Sequence, residues 1–380
     1  MKNVITLVLP FCGVVTSEIT IEPDGSIINT ESYPNAPLER ARELRVPVVS
    51  GVHNAEYEHA TFWDDNGYLL REAWREWEEQ SMSRNVFYED YDIFDPVLSD
   101  AIGKVFANPS ANSEAVLTSL WSGDNQNTDD ETQVLPEGVY ATQLLSHSGI
   151  KLLRSLLDQA SESGIPTRRP NGMNRNGFIL DSKVNGAVPI QPLIDFIEKD
   201  IIQRVVRPVG RMLFQEYVGC NDDVEYFAFT IRYDGKNTDD KDIQRDMKLN
   251  EHRDASVITM NINLNLPNER YAGSDVYFRE FPYVDLQTVS STNTTSFVRF
   301  APGMAIIHLG AHRHGTMLIS PNHDTDERPT VRYNLVIWLF GKDGNVRIAP
   351  YFKEEQMNVV ERWFGCTNIR SMMSNVHNFA

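Results

Sequence analysis

The chain has 380 residues, 41% of them hydrophobic and 23% charged, with a net charge of -18. That suits one or two globular domains with a sizeable core. An acidic balance of this size repels phosphate and counts against a nucleic-acid partner. Cys12, Cys220 and Cys366 are too few and too scattered for a disulfide framework or a zinc site, and no stretch is long and apolar enough to span a bilayer.

Lys2 and the apolar run Val4 to Val15, followed by Thr16-Ser17, have the make-up of a short signal peptide over residues 1–17. The same residues also suit an N-terminal strand, because Pro10 breaks any helix and Ile19-Thr20-Ile21 alternates. The first reading implies the secretory pathway and gives weight to the sequon Asn293-Thr294-Thr295; the second leaves a cytoplasmic location open. Glu22-Pro23-Asp24-Gly25 reads as a tight turn and Tyr33-Pro34-Asn35-Ala36-Pro37 as a loop. Gly67 to Gln80 has helical period with Trp74 and Trp77 on one side, an aromatic stripe of the kind that builds a core. Asp90 to Phe106, with Pro96 near a helix start, continues a partly helical N-terminal region, 1–107.

Residues 108–136, rich in Asn, Asp, Ser and Gly, read as a linker in which Val116, Leu117, Leu120 and Trp121 form at most one helical turn. The domain that follows, 137–351, opens with an amphipathic helix from Ser148 to Ser163, ended by Gly164 and Pro166. A second helix runs from Pro192 to Phe214 and is kinked or split at Pro208. From Glu225 the hydrophobic period changes to two. Tyr226 to Tyr233, Val257 to Leu266, Val276 to Arg279, Phe297 to Phe300, Met304 to Leu309, Gly315 to Ser320 and Val331 to Phe340 read as short strands. The fold class is α+β: a jelly-roll sandwich whose two sheets enclose a pocket, braced by helices. After the hairpin-type turn Gly341-Lys342-Asp343-Gly344, Val346 to Tyr351 adds an edge strand, and Glu354 to Phe364 reads as helical in a tail, 352–380.

The chemistry-bearing residues gather in this second half. His252 and Asp254 stand at strand spacing, so both side chains can point into one cavity. In the strand that follows, Ile258, Met260, Ile262 and Leu264 share one face; Val257, Thr259, Asn261 and Asn263 share the other, a polar inner face. Two imidazoles and one carboxylate on one side of a ferrous ion leave the remaining positions open to a bidentate cosubstrate and dioxygen. The second imidazole has to come from a distant strand, and the pattern leaves His308, His312 and His314 as alternatives. Downstream, Arg332 opens an apolar strand, where a buried guanidinium can meet the distal carboxylate of a keto acid with two charge-assisted bonds. Arg328, in the link before that strand, is the alternative cation.

These segments carry a resemblance. Gly138-Val139-Tyr140, Arg169 to Leu180, Phe229-Thr230-Ile231-Arg232-Tyr233, His252-Arg253-Asp254-Ala255-Ser256, Ala272 to Phe278, His308 to Gly315 and Arg332 to Trp338 occur in one order over residues 137–342. In these residues the chain resembles the prolyl 4-hydroxylase type of Fe(II)/2-oxoglutarate dioxygenases. Within that family it is similar to the 2-oxoglutarate and iron-dependent oxygenase domain-containing protein 2 group. The resemblance implies that His252, Asp254 and His314 bind iron, His314 being preferred because the family's ligand precedes a small residue such as Gly315. It implies that Arg332 holds the distal carboxylate of 2-oxoglutarate and that Tyr233 assists there. It also implies O2 as second cosubstrate, ascorbate as reductant, and hydroxylation of a prolyl or lysyl side chain, or of a related small molecule, with release of succinate and CO2. A carboxylate ligand at 254 leaves no vacant ligand position for halide, which favours hydroxylation over halogenation.

Two links depart from the family pattern. Asp234 to Lys248 is longer and more charged, and Ser320 to Val331 lengthens the step from His to Arg. With Pro282 to Ser296, these links either rim the pocket and select a substrate or are variable surface loops. The rival from another class is a non-catalytic jelly-roll protein that binds a metal or ligand. A nucleic-acid demethylase is a third reading, disfavoured by the charge.

Overall fold

The structure is a computed structural model. It describes residues 4–8, 16–21, 27–31, 36–47, 60–81, 92–108, 110–121, 124–125, 133–170, 174, 176–214, 224–235, 247–254, 256–269, 271–279, 295–310, 312–320 and 330–341. The sequon at Asn293, Arg328, the strand expected at 346–351, the helix expected at 354–364 and much of the three long links lie outside the described residues.

The helices come first in the chain. Ala60–Ser81 is longer than the periodicity at Gly67 to Gln80 implies, because Trp63 extends the buried stripe of Leu70, Ala73, Trp74 and Trp77 by nearly two turns. Pro96–Ala107 starts where Asp95 accepts bonds from the Val97 and Leu98 amides at 2.9 and 3.4 Å, with Pro96 at the first helical position. Within 108–136 the apolar turn is a helix, Ala111–Ser119, opened by reciprocal Ser110 and Ser113 caps and anchored by buried Leu117 and Trp121. His147–Glu162 matches its sequence pattern and is capped by Ser146. The segment expected from Pro192 to Phe214 is continuous but changes pitch: Gln191–Asp195 and Arg207–Leu213 are α-helical, and Phe196–Val206 is π-helical. Pro208 falls just after the wider π turns, which accommodate the backbone bond its ring cannot donate. Among the described residues no helix is long and apolar enough to cross a membrane.

The strands are numbered in chain order. β1 (Val4–Val8), β2 (Thr16–Ile21) and β3 (Ile27–Glu31) form an antiparallel sheet, and β4 (Asp124–Asn125) pairs with β5 (Gln133–Val134). Next come β6 (Val139–Gln143), β7 (Val224–Asp234), β8 (Leu249–His252), β9 (Ile258–Asn263), β10 (Ala272–Gly273) and β11 (Val276–Arg279). The last are β12 (Thr295–Val298), β13 (Met304–Leu309), β14 (His314–Thr316), β15 (Ile319–Ser320) and β16 (Val331–Gly341). A major antiparallel sheet runs β6-β13-β9-β16-β7 and a minor one β12-β11-β14-β8, with β10 and β15 pairing separately.

Two expectations need correction. The strand expected from Gly315 to Ser320 is two strands in different sheets, because the chain leaves the minor sheet at exposed Met317 and Leu318 before Ile319 turns inward to pair with Gly273. The expected Val257 to Leu266 strand is shorter, ending at Asn263, since Leu264 donates instead to the Tyr333 carbonyl at 2.8 Å and Leu266 begins a turn.

Period two divides the major sheet cleanly. Its outer face, with Met260, Ile307, Leu335 and Ile337, joins Trp74, Leu98, Leu153 and Ile197 of the helices in one apolar core. Its inner face carries Phe227, Phe229, Tyr233, Val336 and Trp338 toward the minor sheet. Between the sheets lies a cavity, part of it open to solvent, lined by residues of both.

Candidate metal centre

His252 ends β8 and His314 opens β14, and the two are paired across the minor sheet, their rings 4.4 Å apart between centroids. Asp254 follows β8 by two residues and turns its carboxylate toward both. Its Oδ1 lies 3.2 Å from His252 Nε2 and its Oδ2 3.5 Å from His314 Nε2. All three offer a ligand atom within 4.8 Å of one another, and among the described residues no other such group exists. Each imidazole is fixed by its other nitrogen: His252 Nδ1 meets the Asn250 carbonyl at 2.8 Å and His314 Nδ1 the His312 carbonyl at 2.8 Å. A carbonyl can only accept, so Nδ1 carries a proton in each ring, and Nε2, turned toward the carboxylate, is the atom left for a metal.

The carboxylate is equally well held. Thr259 donates to Asp254 Oδ2 at 2.6 Å, and the Asp254 amide donates to the Gly310 carbonyl at 2.9 Å. Burial alone would push the Asp254 carboxyl up. The imidazoles of His314 and His252 beside it overcome that and hold it well below the usual carboxylate range. The carboxylate is therefore anionic, and two imidazoles with one carboxylate make a donor set that fits a ferrous ion with open positions.

Of the three candidate histidines, the structure brings only His314 into this group. His308 and His312 are fully buried but engaged elsewhere: His308 Nδ1 lies 2.9 Å from the Leu309 carbonyl, and His312 Nε2 lies 2.7 Å from the Arg279 carbonyl. Burial first, then the neighbouring His314, pushes His308 down to about 3, so it is a neutral wall of the site.

Arg332 lines the same cavity from the inner face of β16. It is 1% exposed, so its charge is nearly sealed from water. Nε donates to Asn334 Oδ1 at 3.0 Å, Nη1 donates to the carbonyl of Ser274 and, at 3.1 Å, to its hydroxyl, and Asn334 in turn donates to Asn261 Oδ1 at 2.6 Å. Ser274 is the one described non-glycine residue with positive φ, at 55°, directly after Gly273 at 67°. That left-handed pair turns the Ser274 carbonyl onto the guanidinium. Among the described residues no carboxylate lies within ion-pairing distance of Arg332. A buried cation so placed calls for an anionic ligand. Tyr233 stands opposite it in the β7 and β16 register, its ring 5.4 Å from the guanidinium carbon, and its side chain is 2% exposed on the cavity wall.

Several residues that shape the site do not declare themselves in the sequence: Ser256, Thr259, Asn261, Ser274 and Asn334. The available signal is the polar face of β9 and β16, where Thr259, Asn261 and Asn334 alternate with Ile258, Met260 and Leu335.

Two sheets around a His-Asp-His group and a buried arginine describe the class of 2-oxoglutarate- and iron-dependent oxygenases, and sequence comparison puts the chain beside the same class. No family model matches the chain. It is 25% identical over 257 residues to 2-oxoglutarate and iron-dependent oxygenase domain-containing protein 2 of Xenopus tropicalis, covering 67% of this chain and 61% of the relative. It is also 25% identical over 223 residues to 2-oxoglutarate and iron-dependent oxygenase domain-containing protein CP2 of Arabidopsis thaliana, covering 56% of this chain and 49% of the relative. The chain thus spans about half to three-fifths of the length of these curated relatives. Among solved structures, one of prolyl 4-hydroxylases from Phytophthora capsici covers 77% of each chain at 13% identity and a TM-score of 0.37, too distant to add weight to the sequence relatives.

Proposed function

We propose that the chain is a 2-oxoglutarate-dependent hydroxylase whose two sheets form a jelly-roll, with His252, Asp254 and His314 as iron ligands and Arg332 as the seat of the cosubstrate's distal carboxylate. The observation that carries this reading is the sharing of one cavity by a His-Asp-His group and a buried arginine with no carboxylate partner among the described residues. Ferrous iron in such a site supplies the reduction of dioxygen against 2-oxoglutarate, which leaves as succinate and CO2 while the substrate gains a hydroxyl.

The chain's own groups do the rest. The Nδ1 bonds of His252 and His314 fix both rings with Nε2 aimed as the ligand atom. Ser274 and Asn334 lock the Arg332 guanidinium so that it meets a carboxylate without reorganising, with the Tyr233 ring against it. Phe229, Val336 and Trp338 line the cavity with apolar surface and limit water near the reacting centre. The substrate we infer is a prolyl or lysyl side chain of a peptide, or a small molecule of like shape, with ascorbate restoring the metal after unproductive turnover.

The test is an anaerobic titration of the purified chain with ferrous iron and 2-oxoglutarate, following the metal-to-ligand charge-transfer band. It needs no knowledge of the substrate. The expected result is a band in the wild type that is lost in Asp254→Ala and weakened in Arg332→Ala. Fully folded, iron-exposed protein without a band would sink the oxygenase reading and leave a non-catalytic binding protein in its place.

A further inference from the structure

Of the three residues in the metal centre, two are carried by the minor sheet and the third is not. His252 and His314 belong to β8 and β14, whereas Asp254 sits in the turn that leads into β9, the middle strand of the major sheet. Its carboxylate is reached from that strand by a chain of two buried hydroxyls: Ser256 Oγ lies 2.8 Å from Thr259 Oγ1, and Thr259 Oγ1 lies 2.6 Å from Asp254 Oδ2. The order of the protons follows from valence. A carboxylate can only accept, so Thr259 spends its single hydroxyl proton on Asp254, and the Ser256 proton must point at the Thr259 oxygen. Both hydroxyls therefore run one way, each polarising the next toward the anion.

The turn that carries this chain is clamped. Gly310 accepts from the Asp254 amide at 2.9 Å and donates to the Val257 carbonyl at 3.0 Å, closing the turn from both ends. A β-carbon at 310 would lie 2.1 Å from the Ser256 carbonyl oxygen, a distance no side chain tolerates, so the close passage requires glycine. The same glycine ends the segment leading to His314.

We propose that Ser256 and Thr259 are positioning residues that restrict Asp254 to one-oxygen coordination. Thr259 anchors Oδ2 and so holds the carboxylate in one rotation, with Oδ1 toward His252, and Ser256 keeps the Thr259 hydroxyl turned to that task. A carboxylate free to rotate would offer both oxygens and fill a position that a bidentate keto acid and dioxygen both need. This inference rests on the oxygenase reading above.

Four full-length proteins test it: wild type, Thr259→Val, Thr259→Ser and Ser256→Ala. Each is titrated anaerobically with ferrous iron alone and then with 2-oxoglutarate, with its thermal midpoint recorded beside. The expected result is an iron affinity about 10–100-fold weaker for Thr259→Val. That variant should also show a shifted or diminished charge-transfer band, while Thr259→Ser, which keeps the hydroxyl, stays close to wild type and Ser256→Ala falls between. Iron binding and a band unchanged in Thr259→Val would overturn the proposal and leave the oxygenase reading standing, as would a Thr259→Ser as impaired as Thr259→Val. Should Thr259→Val not fold, Ser256→Ala decides: wild-type affinity and band there would refute the relay. A wild type that binds no iron would remove both readings together.

Discussion

Arg154 and Arg332 are both buried and lie on opposite sides of the major sheet at almost the same level, yet their charges are answered differently. Arg154, on the helix side, makes a two-pronged pair with Glu269 at 2.7 and 2.8 Å and covers the Tyr333 ring at 4.4 Å. Arg332, next to Tyr333 along β16 and facing the cavity, has Ser274 and Asn334, both neutral, as its hydrogen-bond partners among the described residues. Among the described residues a carboxylate answers the first guanidinium and none lies within ion-pairing distance of the second, which an anionic ligand would complete.

The largest effect should come from breaking the completed pair. Glu269→Ala strands a buried cation and is expected to cost about 3–5 kcal/mol of stability in a urea titration. Arg332→Ala removes a cation that has no ion-pair partner among the described residues and should cost far less; an equal loss would erase the distinction between the two sites. The same Arg332→Ala should weaken 2-oxoglutarate binding by about 2–5 kcal/mol, read calorimetrically with manganese in the metal centre. Arg332→Lys should recover only part of that, since an ammonium cannot make the two-pronged contact.

A smaller effect separates the sides by pH. Burial pushes the Tyr333 phenol up to about 12, against its hydrogen bond to Thr230 and the Arg154 guanidinium, which pull it down. An unfolded tyrosine ionises near pH 10, so between about 10 and 12 the unfolded chain has released a proton that the folded chain keeps, and stability falls as pH rises. Tyr333→Phe should reduce that alkaline loss by about 2–3 kcal/mol at most, while leaving 2-oxoglutarate binding at neutral pH unchanged. Smallest of all, Ser274→Ala deletes one hydroxyl contact to Arg332 and should lower cosubstrate affinity by about 1 kcal/mol. No change there would mean that the carbonyl of Ser274 alone orients the guanidinium.

His147–Glu162 was readable because it has one polar and one apolar face over sixteen residues, and Val331–Gly341 because it is a long, largely apolar run buried on both faces. β8 was not readable: Leu249-Asn250-Glu251-His252 shows no apolar alternation, since as the edge of the minor sheet it buries little beyond Leu249. β6 is short and has its inner face against the small cluster of Val276 and Phe278, too few residues to set a period. The helix Ala111–Ser119 is hidden by its Asn and Ser content, which speaks for a loop until the Ser110 and Ser113 caps are seen. In the metal centre the His-x-Asp spacing was informative because both residues lie close in the chain. The third histidine was not decidable by pattern, because His308, His312 and His314 are all buried and only strand register with His252 separates them. Thr259 bonds Asp254 only five residues away, and its place on the polar face of β9 was legible, whereas Ser274 acts through a contact to Arg332 on a distant strand, which local sequence does not encode.

The pairing of His252 with His314 across the minor sheet also bears on how the protein assembles. Its two halves are supplied by segments far apart in the chain, with β9, β11 and β13 between them. Non-local contacts of that kind form slowly, because much chain must be ordered before any of them is rewarded. The centre should therefore be absent from the early stages of refolding, so ferrous iron would leave the folding rate alone and slow unfolding instead. Metal bound there would act as a latch on the finished structure, and how long the protein persists would depend on whether that latch is engaged.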